Sequence, residues 1–172
     1  MGIDNKLDLL GKHCRDIVTG FEGICTSMID YLYGCETYSL RSKAMDGLKH
    51  PSLAFYREQL EVIDDGIRDK VEIPEYTEPI LFGKVCCDKV TGVKGVIVAR
   101  ATSLFASEQY VLEYQPEDLS KDTRILWIDE GRLEELPDEK TIAPKDVNGK
   151  KAGGMLCPDI EALMLEGISS VI

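Results

Sequence analysis

Apolar residues along this chain come in short runs rather than in helical stripes. The two longest are "GICTSMIDYL", Gly23 to Leu32, and "GVIVARATSL", Gly95 to Leu104. Each is compact, β-rich and bounded by turn residues, which points to strands rather than amphipathic helices. A shorter run precedes each one, over residues 12–18 and 84–90, and "TGFEG" or "TGVKG" joins the two. The paired glycines are expected to supply the positive φ values of a hairpin loop. A second turn follows at Tyr33–Gly34, or near Ala106–Ser107, and then a third run, "CETYSLR" or "EQYVLEY". A last short segment returns around Phe55–Tyr56 or Trp127–Ile128. Strands of this length with glycine turns predict a mainly β chain of small antiparallel barrels or curled sheets. A lone hairpin is only marginally stable in water, so the strands need to close around a core.

The runs repeat. An offset of 72 residues brings Gly11-Lys12 onto Gly83-Lys84, Cys14 onto Cys86, Asp16 onto Asp88 and Val18-Thr19-Gly20 onto Val90-Thr91-Gly92. Gly23 meets Gly95, Tyr38 meets Tyr110 and Leu40 meets Leu112 without a gap. An offset of 73 then aligns Leu60 with Leu133. Solenoid repeats have units of about 20–50 residues, so this period suits two copies of a small domain. The expected organisation is a first module at 1–66, a linker at 67–79 and a second module at 80–136. An extended arm follows at 137–172. The linker carries one candidate strand at "KVEI", and Asn5 to Leu10 form a lead-in strand or turn. The modules differ most in two polar excursions, "SKAMDGLKHPSL" and "QPEDLSKDTR", which read as loops and hence as places for recognition. In the arm, Asp159 is a candidate helix cap. Ile160, Leu163, Met164 and Ile168 follow helical spacing, so a short terminal helix is expected. Its apolar side has two candidate docking places, its own barrel and a neighbouring chain.

Composition narrows the function. The chain has 172 residues, 44% of them hydrophobic, and a net charge of -11. That balance argues against general binding to a phosphate backbone and favours solubility or a basic partner surface. No apolar run is long enough to span a bilayer, and "MGIDNKLDLLGKH" has no secretory apolar stretch. Gly2 invites myristoylation, but Lys6 stands where that pattern needs Ser or Thr. A protein made in a cytosol, with no membrane partner, is expected. Six cysteines and two histidines show no close metal-ligand spacing, so buried free thiols are expected rather than zinc. Adjacent Cys86 and Cys87 would face opposite sides of a strand.

Catalytic chemistry finds little footing. His13 and Cys14 are strand neighbours that face apart, and Val85 replaces His13 in the second copy. Asp16 and Asp88 recur, but an aspartate before an apolar-Thr-Gly turn is expected to cap loop N–H groups rather than move protons. "TGFEG" lacks the length and lysine of a phosphate loop. No catalytic residue, metal or cofactor is expected. Gly20, Gly23, Gly92 and Gly95, with the two aspartates, are assigned to the turns. Tyr38 and Tyr110 match across the repeat and are assigned to the core. Phe21, Tyr31, Tyr33, Tyr56 and Trp127 remain as candidate contact residues. Ile160, Leu163, Met164 and Ile168 are the candidate arm contacts.

The segments Asp16 to Gly23 ("DIVTGFEG") and Tyr31 to Tyr38 ("YLYGCETY") resemble a module of small proteins of tailed phages and prophages, a group with no established catalytic residues. "WIDEGRLE", Trp127 to Glu134, resembles the end of the same module, and the second copy departs from it at "LFASEQY". The glycine-containing turn also resembles the KOW and Tudor class of SH3-like barrels. The resemblance implies two tandem SH3-like barrels in a non-enzymatic virion component, such as a capsid decoration or cement protein. Its expected partners are capsid or other virion proteins, with self-association a further expectation. It would be made in the host cytoplasm and reside in the virion. Two rival readings stand beside it. One is an intracellular phage inhibitor or adaptor bound to a host protein. The other is nucleic-acid or nucleotide binding through a barrel face, which would need Lys12, Arg41, Lys84 and Arg100 to converge.

Overall fold

The computed structural model describes residues 5–42, 51–114, 124–137 and Glu139. Among these the chain is mainly β and antiparallel. The first half contains β1 (His13–Asp16), β2 (Glu22–Tyr31), β3 (Thr37–Arg41), β4 (Ser52–Tyr56) and β5 (Leu60–Asp64). The second contains β6 (Val85–Asp88), β7 (Lys94–Ser103), β8 (Gln109–Tyr114), β9 (Arg124–Asp129) and β10 (Leu133–Glu135). In the first half, β1 to β4 form a meander and β5 returns to pair with β1. The second half repeats this pairing order, with β10 returning to β6. A single 3-10 turn precedes each returning strand, at Arg57–Gln59 and at Glu130–Arg132. The returning strands are not among those the sequence pattern marks, because "REQ" carries no Gly, Pro, Asn or Asp to announce a turn and "EGR" carries only Gly131.

The repeat extends to irregular features. The register shifts between Cys25 and Ser27 where β2 meets β3, and between Ile97 and Ala99 where β7 meets β8. These are the same positions at an offset of 72. The bulge bends each long strand. The glycines divide the work differently from the expectation. Gly20 and Gly92 have φ of 76° and 75° and make the turns. Gly23 and Gly95 lie in the strands without positive φ. A Cβ on Gly23 would stand 2.6 Å from the Arg41 carbonyl oxygen, and one on Gly95 would stand 2.3 Å from that of Glu113. These two glycines serve close strand approach, not turn geometry.

Each half has its own core. Cys14, Cys25, Met28, Tyr38, Leu40 and Phe55 fill the first. Cys86, Ile97, Tyr110, Leu112 and Ile128 fill the second. The lead-in residues 5–11 form turns, not a strand, and deliver Leu7, Leu9 and Leu10 into the first core. Leu81 and Phe82 play the matching part in the second.

The two halves share one sheet. β2 and β7 pair antiparallel, with Ser27 opposite Ser103, Ile29 opposite Ala101 and Tyr31 opposite Ala99. At an offset of 72, Ile29 and Ala101 are the same repeat position. Every other pair in this seam maps onto a second pair of the seam when the halves are exchanged. A local two-fold axis therefore passes through the Ile29–Ala101 pair. The segment between the halves is not a free tether, and "KVEI" is not a strand: β5 ends at Asp64 and residues 66–70 turn. The Ile67 N–H donates to the Gly11 carbonyl at 2.8 Å, and Arg68 donates to the Asp8 carbonyl at 2.9 Å. Ile73 and Tyr76 then pack on the first core.

Candidate functional site

Three places collect the candidate residues. The first is the pair of β1–β2 and β6–β7 turns. The Asp16 carboxylate accepts hydrogen bonds from the Val18 and Thr19 N–H groups and from the Thr19 hydroxyl. Asp88 accepts from the Val90 N–H and the Thr91 hydroxyl in the same way. Both carboxylates are enclosed by their own turns, although the turns stand at the surface. The Thr19 hydroxyl, with the Thr19 and Val18 N–H groups, holds the Asp16 carboxyl below the ordinary aspartate range. Asp88 is held well below it by Arg132, whose guanidinium donates to both carboxylate oxygens, and then by Thr91. Gln59 occupies the Arg132 position in the first half and instead accepts the Tyr56 N–H at 3.1 Å. The outcome of this capping is two rigid tips that hold Val18 and Val90 out at 71% and 72% exposure.

The second place is the seam. Asp30 and Arg100 face each other across β2 and β7, at 3% and 2% exposure, with Nη2 3.0 Å from Oδ2. Arg100 also donates to the Thr77 carbonyl at 2.7 Å and lies over the Tyr76 ring. Lys6 approaches Asp30 at 3.3 Å and Glu36 at 2.8 Å. Burial disfavours the Lys6 ammonium, yet the Glu36 and Asp30 carboxylates outweigh it and push its pKa up. Arg100 is thus consumed inside the molecule, and Lys84 is paired with Glu135 at 3.0 Å. Buried Arg100 is therefore not available to join Lys12, Arg41 and Lys84 on an exposed basic face.

The third place is the outer side of β7–β8–β9. Ile29, Leu32, Val98, Ala99 and Val111 are buried there, and Tyr31, Tyr33, Ile125 and Trp127 pack half-buried against them. Three of the five candidate contact residues therefore come together, drawn from both halves. The turn carrying Tyr31 and Tyr33 leaves the first half and lies against the second. Phe21 does not join them: its ring packs against Phe55 with centroids 5.6 Å apart, at the first core. Tyr56 stays at the first 3-10 turn. Ile160, Leu163, Met164 and Ile168, with the expected terminal helix, lie outside the described residues.

Among the described residues, His13 and Cys14 are not arranged as a base and an activated nucleophile. Burial pushes the Cys14 thiol up to about 11, far from the thiolate that nucleophilic attack requires. The His13 ring is turned to Asp64 at 3.1 Å and Glu22 at 3.6 Å. Cys86 is buried while Cys87 is half-buried, as opposite strand faces require. Among the described residues no cluster of His, Cys, Asp and Glu could hold a metal ion, and no helix is long and apolar enough to cross a membrane. No protein family, curated protein or solved structure matches the chain.

Proposed function

We propose that this chain is a non-enzymatic structural protein that bridges two copies of one partner surface, in keeping with a capsid decoration or cement role in a tailed-phage particle. The repeated meander, the 3-10 turn and the returning strand favour reading each half as an SH3-like barrel, and the pair as tandem copies. One observation carries the reading. The two halves meet about a local two-fold axis, so the antiparallel β2 and β7 start at opposite ends of the seam. The capped tips of Val18 and Val90 precede those starts. Glu22 and Lys94 each lie seven residues from the axis, so straight strands would set them up to about 46 Å apart. Matching apolar tips at opposite poles suit a bridge, where two weak contacts to like subunits combine into one stable attachment.

The test is protein mass spectrometry of gradient-purified particles of the source phage. Copies in fixed proportion to a capsid or tail subunit are expected. Absence from particles would overturn the virion assignment and favour the intracellular adaptor. Val18→Asp and Val90→Asp separate the bridge from a one-sided contact. Either substitution alone is expected to remove most particle attachment, whereas a one-sided contact would respond to only one of them.

A further inference from the structure

The outer face of β7–β8–β9 differs sharply from the matching face of the first half. Val111, Glu113, Ile125 and Trp127 stand where the first half has Ser39, Arg41, Ser52 and Ala54. Glu113 sits opposite Val96 on one side and Ile125 on the other, both apolar. Trp127 lies one diagonal step along the same face, and Tyr33 approaches from the first half. Among the described residues the Glu113 carboxylate has neither an ion pair nor a hydrogen bond. Burial is the sole cause acting on it and raises its pKa. A half-buried carboxylate without a cation is disfavoured, and none of the described residues supplies one.

We propose that Tyr33, Glu113 and Trp127 form a receptor for a cationic side chain, a lysine or arginine presented on a basic segment of a partner protein. The carboxylate supplies the counter-charge and the two rings supply cation–π faces. Val96 and Ile125 exclude water from the aliphatic stem of the incoming residue. Charge complementarity selects this occupant, because the chain carries a net charge of -11 and an unpaired acid at the centre of its aromatic face. The inference needs only that face, and it holds whether or not the chain belongs to a particle.

Trp127 is the single tryptophan of the chain, so its emission reports this face alone. The experiment titrates the full chain with the peptide acetyl-Gly-Lys-Gly-Arg-Gly-amide and with its Glu-for-Lys and Glu-for-Arg analogue. A saturable change in Trp127 emission with the basic peptide only is expected. It should weaken about tenfold in Glu113→Gln and with added salt. Glu113→Gln removes a poorly solvated charge, so its folding is expected to be unimpaired, which urea denaturation checks. Equal response to both peptides, or an unchanged response in Glu113→Gln, would overturn the receptor. The occupant would also be overturned if reversing Lys145, Lys150 and Lys151 to Glu shifted emission with no peptide present. That result would assign the face to the chain's own arm. A shift on simple dilution would assign it to a second copy.

Discussion

The two halves share a backbone plan and differ in what they present. Strand order, bulges, glycine contacts and capped turns recur position by position. Their outer faces have diverged. The first half shows Ser39 and Arg41 where the second shows Val111 and Glu113. Tyr31, Leu32 and Tyr33 of the first half cover the outer apolar face of the second, whereas from the matching second-half turn Leu104 packs against the first core. The matching turn in the second half carries Phe105, which is left exposed. The two halves therefore share a scaffold and differ in their surfaces, and the seam shows the same division. Asp30 and Arg100 correspond to Thr102 and Met28 in the exchanged halves, so the ion pair breaks the local two-fold symmetry. Two first halves paired in this register would set Asp30 against Met28. The asymmetry thus favours pairing of unlike halves over pairing of like ones.

The largest effect is expected at that pair. Arg100→Met leaves Asp30 with only the more exposed Lys6 and should cost about 3–5 kcal/mol. Asp30→Leu combined with Arg100→Met replaces the pair by apolar groups and should recover most of that loss. Urea denaturation of the singles and the double checks it. If the double is no better than the singles, the seam is held by something other than charge pairing.

Next come the glycines of close approach. Gly95→Ala should destabilise by about 2–3 kcal/mol, and Gly23→Ala by somewhat less, since backbone oxygens stand 2.3 and 2.6 Å from the added carbon. Thermal melts of the two variants compare the halves at one repeat position. Gly20→Ala and Gly92→Ala meet no neighbouring atoms, so only the strain of positive φ acts. Each should cost about 1 kcal/mol, and the two should be equal. Unequal losses would show that the turns are less alike than their capping.

The smallest effect separates the two turn aspartates by pH. Asp88 is held well below the ordinary aspartate range by Arg132, and its folded-state pKa is lower than its unfolded one. Its contribution is complete above the ordinary range and fades as pH falls through the folded value. Arg132→Gln should move acid unfolding to higher pH, as followed by Trp127 emission. Gln59→Ala at the matching place should leave the acid limb unmoved, because Asp16 takes its hydrogen bonds from Val18 and Thr19.

The sequence by itself determined the repeat, the ends of the long strands to within a residue or two, the capped turns and the buried tyrosines Tyr38 and Tyr110. All of these are local: alternation, turn chemistry and spacing act over a few residues, and the repeat supplies an internal check. Only the tertiary structure decided that β2 and β7 join the halves into one sheet. The outward edge of a long strand looks the same in sequence whether it meets water or another strand. That pairing buried Arg100 and drew Tyr31 and Tyr33 onto a face shared with Trp127. The glycine pairs show the same limit within a few residues. Gly20 and Gly23 are indistinguishable as letters, and the contact with the Arg41 carbonyl that separates their roles comes from a strand eighteen residues away. Local chemistry wrote the elements, and long-range pairing chose which of their surfaces remained open.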